Sequence, residues 1–190
     1  MNTEQKVDAG SHGLKWGLII GFVYAIFILL RYRFGANDFV TYGILMFVGF
    51  VVVMGLLFYS GKKARDENGG YIEMQEAFKA MFIAVLIFEL FFMVATLIYL
   101  KYIDPDFFQK LRDSTESVML ATKASQADID RALQTLEQAQ AQSQYTKINV
   151  FDFLKTYLYT VGLTGLFALA FAFFLKRKPP VFQQDQFPQT

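Results

Sequence analysis

Residues 80–100 read AMFIAVLIFELFFMVATLIYL, a run long enough to cross a hydrocarbon core of about 30 Å as one helix and interrupted by a single ionisable side chain, Glu89. Three further stretches share its character: LKWGLIIGFVYAIFILL at 14–30, FVTYGILMFVGFVVVMGLLFYS at 39–60 and TYLYTVGLTGLFALAFAFFL at 156–175. In lipid the backbone N–H and C=O groups find no water, so they must pair within the segment. Runs of this length therefore predict helices, since a barrel strand needs only about 9–11 residues. The expected fold is all-α: an integral membrane four-helix bundle, one domain over 1–190, with an extramembrane helical hairpin between its third and fourth spans.

Composition agrees. Apolar residues make up 54% of the 190, above the roughly 45–50% of an average soluble protein, and a chain this short cannot hide the excess in one aqueous core. A formal net charge of +1 provides no field directed at nucleic acid or an acidic substrate. With no cysteine, disulfide frameworks and thiolate metal sites are excluded.

The first span is not read as a cleaved signal, although Lys6 and Lys15 precede its apolar core. Leu30 is followed by Arg31, Tyr32 and Arg33 where small residues would mark a cleavage site. Segments 31–38 and 61–79 separate the first three spans, and Asp66, Glu67, Asn68, Gly69 and Gly70 supply turn chemistry in the second. From Tyr71 to Lys79 the third helix is expected to begin outside the hydrocarbon. The hairpin is placed at 104–145. Asp104 is expected to cap its first helix, with Pro105 at the first helical position, and Phe107, Phe108, Leu111, Val118 and Met119 form its apolar side. Ser125 and Asp128 form a capping-box-like start for the second helix, which carries Ile129, Leu133 and Leu136 at helical spacing. The Gln/Ala run 138–144 is its polar, fraying end, and 179–190 reads as a flexible tail.

Four spans put both termini and the 61–79 segment on one side. Lys62, Lys63, Arg65, Lys176, Arg177 and Lys178 lie there, so the positive-inside rule makes that side cytoplasmic and turns the 101–155 region to the periplasm or exterior. Arg31, Arg33, Lys147 and Lys155 weigh in the opposite direction.

Glu89 is the candidate intramembrane site. Such groups face the bundle interior and mark ion or proton paths by default; the structural reading is a protonated carboxyl bonded to a hydroxyl of Tyr24, Thr41, Tyr42 or Thr160. Gly13, Gly17 and Gly21 recur every four residues on one face, as helix-packing positions that admit a neighbouring backbone, either within the chain or in a homo-oligomer. Ala168 and Ala172 are a weaker version in the last span. Arg31, Arg33, Lys101 and Tyr102 stand where helices leave the bilayer and are read as lipid-headgroup anchors, with specific binding of a lipid phosphate as the sharper alternative. His12 is the lone histidine, read as a surface residue, and one imidazole builds neither a zinc site nor a triad. The pairs Asp66/Glu67 and Asp128/Asp130 are read as solvated surface. The sequence therefore offers no catalytic residue, metal site or cofactor.

The order of several short motifs also carries a resemblance. A Gly-patterned first helix is followed by Tyr59-Ser60-Gly61-Lys62-Lys63, Asn68-Gly69-Gly70-Tyr71-Ile72, Glu76-Ala77-Phe78, Ile103-Asp104-Pro105-Asp106-Phe107 and a basic stop at Lys176-Arg177-Lys178. From about Gly10 to Lys178 the chain resembles the Bacteroidetes membrane family called domain of unknown function 4199. The resemblance implies a four-helix inner-membrane protein without an assigned catalytic residue, and points to a polyprenyl-phosphate glycosyltransferase as a kind of partner. The expected function is a non-catalytic accessory or scaffold subunit of an envelope enzyme or transport complex, in contact with lipid and a membrane protein. The alternative is a small proton-coupled carrier or channel centred on Glu89.

Overall fold

The computed structural model describes residues 8–142 and 150–177. Six α-helices follow in order: α1 (Ala9–Gly35), α2 (Phe39–Glu67), α3 (Met74–Ile98), α4 (Phe107–Ala121), α5 (Gln126–Gln142) and α6 (Val150–Leu175), with a π-helical turn Tyr99–Ile103 closing α3. α1, α2, α6 and α3 with its π turn are each long and apolar enough to cross a membrane. All four outrun the apolar runs that announce them. Asp8 starts α1 early, its carboxylate accepting from the Gly10 and Ser11 amides, bonds that hold its carboxyl below the usual range. α2 continues to Glu67, so the 61–79 connection shrinks to 68–73, and Gly69 and Gly70 supply its left-handed backbone (φ +72° and +90°).

α3 is the centre of the packing. It lies against α1, α6 and α2; α2 also touches α1 and α6. Ala77, Ala80, Ala84, Val85 and Phe88 of α3 are buried with Ile20, Val53, Leu57, Val161, Ala168 and Ala172 in one core. Outward faces are the reverse: Phe22, Phe47, Leu166 and Phe174 are each more than 60% exposed. Apolar surface on that scale, spread over four long helices, has lipid as its natural solvent, which makes this a multi-pass membrane protein.

Small residues set the closest approach. A methyl carbon added to Gly13 would stand 2.7 Å from the Ala80 carbonyl oxygen, and one on Gly17 would stand 2.7 Å from Ile87 Cβ and 3.1 Å from Ala84 Cα. At Gly21 the nearest atoms are those of the Phe91 ring. The glycine face of α1 is therefore spent on α3 of the same chain.

The two ends of the bundle are tied differently. At the end holding Asp8, the α2–α3 connection and the end of α6, Ile72 and Arg177 exchange both backbone hydrogen bonds, at 3.1 and 3.0 Å. At the other end the hairpin folds back on the spans. Phe107 is fully buried, its ring 4.7 Å from that of Tyr32 and 5.7 Å from that of Tyr42, and Tyr32 stacks on Tyr99 at 5.0 Å. The Phe39 amide donates to Ser114 Oγ at 2.9 Å.

Local starts only partly follow expectation. Ser125 and Asp128 make the reciprocal pair, with the Asp128 amide on Ser125 Oγ at 3.3 Å and the Ser125 hydroxyl on Asp128 Oδ2 at 2.6 Å. Asp104 caps nothing with its side chain. α4 begins after Asp106, and Asp104 instead accepts from Lys110 Nζ at 2.7 Å, an ion pair that holds the lysine above its ordinary value. The expectations for Lys6, Lys147, Lys178, residues 143–145 and the 179–190 tail lie outside the described residues.

Gly17→Val should lower stability by about 1–3 kcal/mol, the usual cost of forcing extra volume into a packed contact, whereas Gly43→Ala, which meets nothing within 4 Å, should be neutral or slightly stabilising. Thermal unfolding in a mild detergent compares them.

Candidate functional site

Glu89 sits on the face of α3 that meets α6. Thr164 recurs one helical turn after Thr160 on α6, which places both hydroxyls along that seam. The Thr164 hydroxyl donates to Glu89 Oε1 at 2.6 Å, whereas the Thr160 hydroxyl donates to the Tyr157 carbonyl of its own helix at 3.0 Å. Glu89 is 5% exposed. Of the four partners expected from sequence, only Thr160 stands beside it, with its hydroxyl spent on the Tyr157 carbonyl. Thr41 is engaged with Asp38 at the start of α2, Tyr42 lies under Arg31, and Tyr24 stacks on Phe92 at 5.1 Å. Thr164, the partner, could have been found by its spacing: it lies one turn after Thr160 and two after Thr156, on a face that the apolar end of α6 otherwise fills with apolar residues. One turn nearer the N-terminus of α6, Tyr157 donates to the Leu86 carbonyl at 2.7 Å. Thr96 lies on α3 beyond Glu89, buried and with no partner for its hydroxyl. The α3–α6 seam thus carries a short polar stripe through the apolar interior.

His12 is a correction. Read as a surface residue, it is 5% exposed and bridges α1 to α2. Its Nε2 lies 3.0 Å from the Ser60 carbonyl and its Nδ1 lies 3.0 Å from Glu67 Oε2. A carbonyl only accepts, so Nε2 carries a proton there. The cause of the error is length: α2 runs about two further turns past the apolar run, bringing Glu67 opposite the start of α1. Glu67 is consequently a partner, not merely solvated surface, while Asp66 pairs with Arg65 at 3.5 Å. Trp16 and Tyr59 pack edge to face beside the histidine at 5.5 Å.

The four residues read as headgroup anchors do not form one class. Arg33 and Tyr102 are exposed, and Lys101 lies with its Nζ 5.4 Å from the Tyr102 ring centre. Arg31 departs from the picture of a side chain reaching freely outward. It is 8% exposed, with Cζ 4.7 Å from the Tyr32 ring centre and 5.3 Å from that of Tyr42. A cavity of about 280 Å³ opens near the start of α1, lined by Asp8, Ala64, Asn68, Ile72, Glu76 and Lys79 among others. It contains none of these candidate residues. Among the described residues, no three His, Asp or Glu side chains converge as a metal site would require.

The family model described as "Protein of unknown function (DUF4199)" matches residues 15–177. The chain belongs to this family. The match runs from the first turns of α1 to the bridge residue Arg177, so family membership covers all four spans and the hairpin together. No curated protein and no solved structure matches the chain. Family membership therefore leaves chemistry to be argued from the residues themselves.

Glu89→Ala should cost about 1–3 kcal/mol by leaving the buried Thr164 hydroxyl without its acceptor, and Glu89→Gln, which keeps an acceptor oxygen, should cost less. The difference is read by unfolding in detergent, with Thr164→Val as the reciprocal variant.

Proposed function

We propose that this protein is a non-catalytic accessory subunit of a cell-envelope enzyme or transport complex, holding a partner through the α4–α5 hairpin. The observation that supports this reading is the way the hairpin is mounted. Phe107 and Leu111 are sunk into the aromatic end of the spans, α4 and α5 pack on each other, and Arg112 on α4 pairs with Glu137 on α5 at 2.7 Å. The hairpin is thus a fixed platform whose outer side presents Glu116, Asp130, Arg131 and Gln134 to solvent. A mounted polar surface suits protein recognition better than it suits a tether. The basic residues Lys62, Lys63, Arg65, Lys176 and Arg177 belong to the opposite end, which favours an inner-membrane protein with that end cytoplasmic and the hairpin periplasmic. An enzyme acting on polyprenyl phosphates is the partner class that the family resemblance favours.

In-cell crosslinking followed by purification in mild detergent should capture one membrane partner through residues 107–142. Phe107→Ala, which removes the peg that seats the hairpin, should weaken that crosslink while the spans stay folded. A protein recovered alone after crosslinking would contradict this reading.

A second reading is supported by the polar stripe of Glu89, Thr160, Thr164 and Thr96: a proton-coupled carrier working along the α3–α6 seam. Proteoliposomes carrying the pure protein should then show pH-driven flux that Glu89→Gln abolishes. Absence of flux, or flux unchanged in the variant, would remove it.

A further inference from the structure

Among the described residues, Arg31 is a buried cation without an anion. Unlike Glu89 it cannot shed its charge, because a guanidinium stays protonated in proteins. It is 8% exposed, and its Nε is buried with no hydrogen-bond partner. The charged and polar groups that act on it are Tyr32, Tyr42 and Tyr24, with no carboxylate among them; Asp38 accepts from the Val40 amide and the Thr41 hydroxyl, and Asp104 holds Lys110. Arg31 makes no ion pair with any described residue. The Tyr32 and Tyr42 rings lie against the guanidinium, and such faces offset only part of what water would have supplied. Buried charges are as a rule paired, so the site lacks one component, and that component is negative.

Position and shape identify it. Arg31 lies one turn before Gly35, where α1 ends and the chain turns into α2, and Arg33 stands exposed two residues on. This is the rim at which a span of this length meets the headgroup layer, where tyrosine and arginine are at home. A planar guanidinium presents paired N–H donors that match the oxygens of a phosphate. At that depth the abundant phosphates belong to lipids. We propose that Arg31, backed by Tyr32 and Tyr42, seats the phosphate of an anionic lipid headgroup at the α1–α2 rim. The seat is a property of the chain alone and stands whether or not the hairpin holds a partner.

The test uses the full chain, delipidated in a neutral detergent, with native mass spectrometry to count retained lipid and thermal unfolding to read its effect. Three probes are compared: phosphatidylglycerol, diacylglycerol with the same acyl chains, and inorganic phosphate. The wild type should retain one phosphatidylglycerol and unfold at a higher temperature with it, and should gain nothing from diacylglycerol. Arg31→Met should bind phosphatidylglycerol about tenfold or more weakly, a loss of the size expected when a charge-assisted contact is removed. Arg31→Lys, a point charge without the fork, should fall between. Without lipid, Arg31→Met should unfold no earlier than the wild type, because it deletes an unpaired charge; a merely structural arginine would make it unfold earlier. Equal binding by wild type and Arg31→Met, no retained lipid on the wild type, or an equal response to diacylglycerol would each overturn the proposal. The diacylglycerol comparison is made on the wild type, so it decides even if a variant fails to fold. An Arg31-dependent response to inorganic phosphate with none to lipid would keep the phosphate seat and overturn its assignment to lipid.

Discussion

The architecture depends on how closely α1 can approach α3. Inside a bilayer, lipid tails are as apolar as leucine, so helices gain little by hiding greasy faces from one another and associate through packing and hydrogen bonds. Gly13 and Gly17 let the α1 backbone come down on Ala80 and Ala84, themselves small, so that contact is made along the helix and not at a few protruding tips. With α1 seated on one flank of α3 and α6 on another, α2 closes against all three. The large side chains Phe88, Met81 and Leu57 fill the space between them. Bulk at any of the α1 glycines would prise open the seam from which the remaining contacts are built.

That arrangement decides where polarity can sit. α3 is the most enclosed span, so a carboxylate on its inward side must be satisfied by a neighbouring helix, and α6 supplies Thr164. The aromatic end obeys the same rule on a larger scale. Tyr32, Tyr42, Tyr99 and Phe107 come from α1, α2, the π turn and α4 and meet ring to ring. Each such pair contributes about 0.5–1.5 kcal/mol beyond burial. The π turn adds one residue to the hydrogen-bonded ring, Asp104 N donating to Tyr99 O at 2.9 Å, and so re-aims the chain as α3 gives way to the hairpin.

The four spans and the hairpin were legible because they rest on length and period, signals carried by many residues at once. Helix ends were not, because an apolar run marks where lipid stops and not where the helix does. Asp8 caps a first turn that precedes the apolar run, and the stretch from Gly61 to Glu67 is largely polar yet helical, so α1 and α2 each extend beyond the greasy segment and place His12 opposite Glu67. The same short-sightedness applied to Arg31: a basic residue at a helix exit reads as an outward anchor, and only the convergence of two tyrosines from separate helices turns it inward. Glu89 was legible as an inward-facing group because lipid forbids the alternative. Its partner was harder to name, because the distance in sequence from α3 to α6 conceals which face of α6 is turned toward it. The capping expectation failed at Asp104 because a lysine one and a half turns on competes for the carboxylate more strongly than a backbone amide does.

Among the described residues, three side chains of the acidic and basic types lie below one-tenth exposure, and they occupy three levels of the molecule: His12 at one end, Glu89 between, Arg31 at the other. Each would be costly alone. His12 is held between a carbonyl and a carboxylate that reaches water, so its cost is met by α2 and solvent together. Glu89 is held by the Thr164 hydroxyl from α6 and has a neutral form available to it, as any carboxyl does. Arg31 has neither recourse. Its neighbours are rings, and it has no neutral form to retreat to. What distinguishes it is therefore not burial, which all three share, but that the chain meets the electrostatic demand of the other two from its own residues and leaves this one to be met from outside, at the rim where the membrane's phosphates lie.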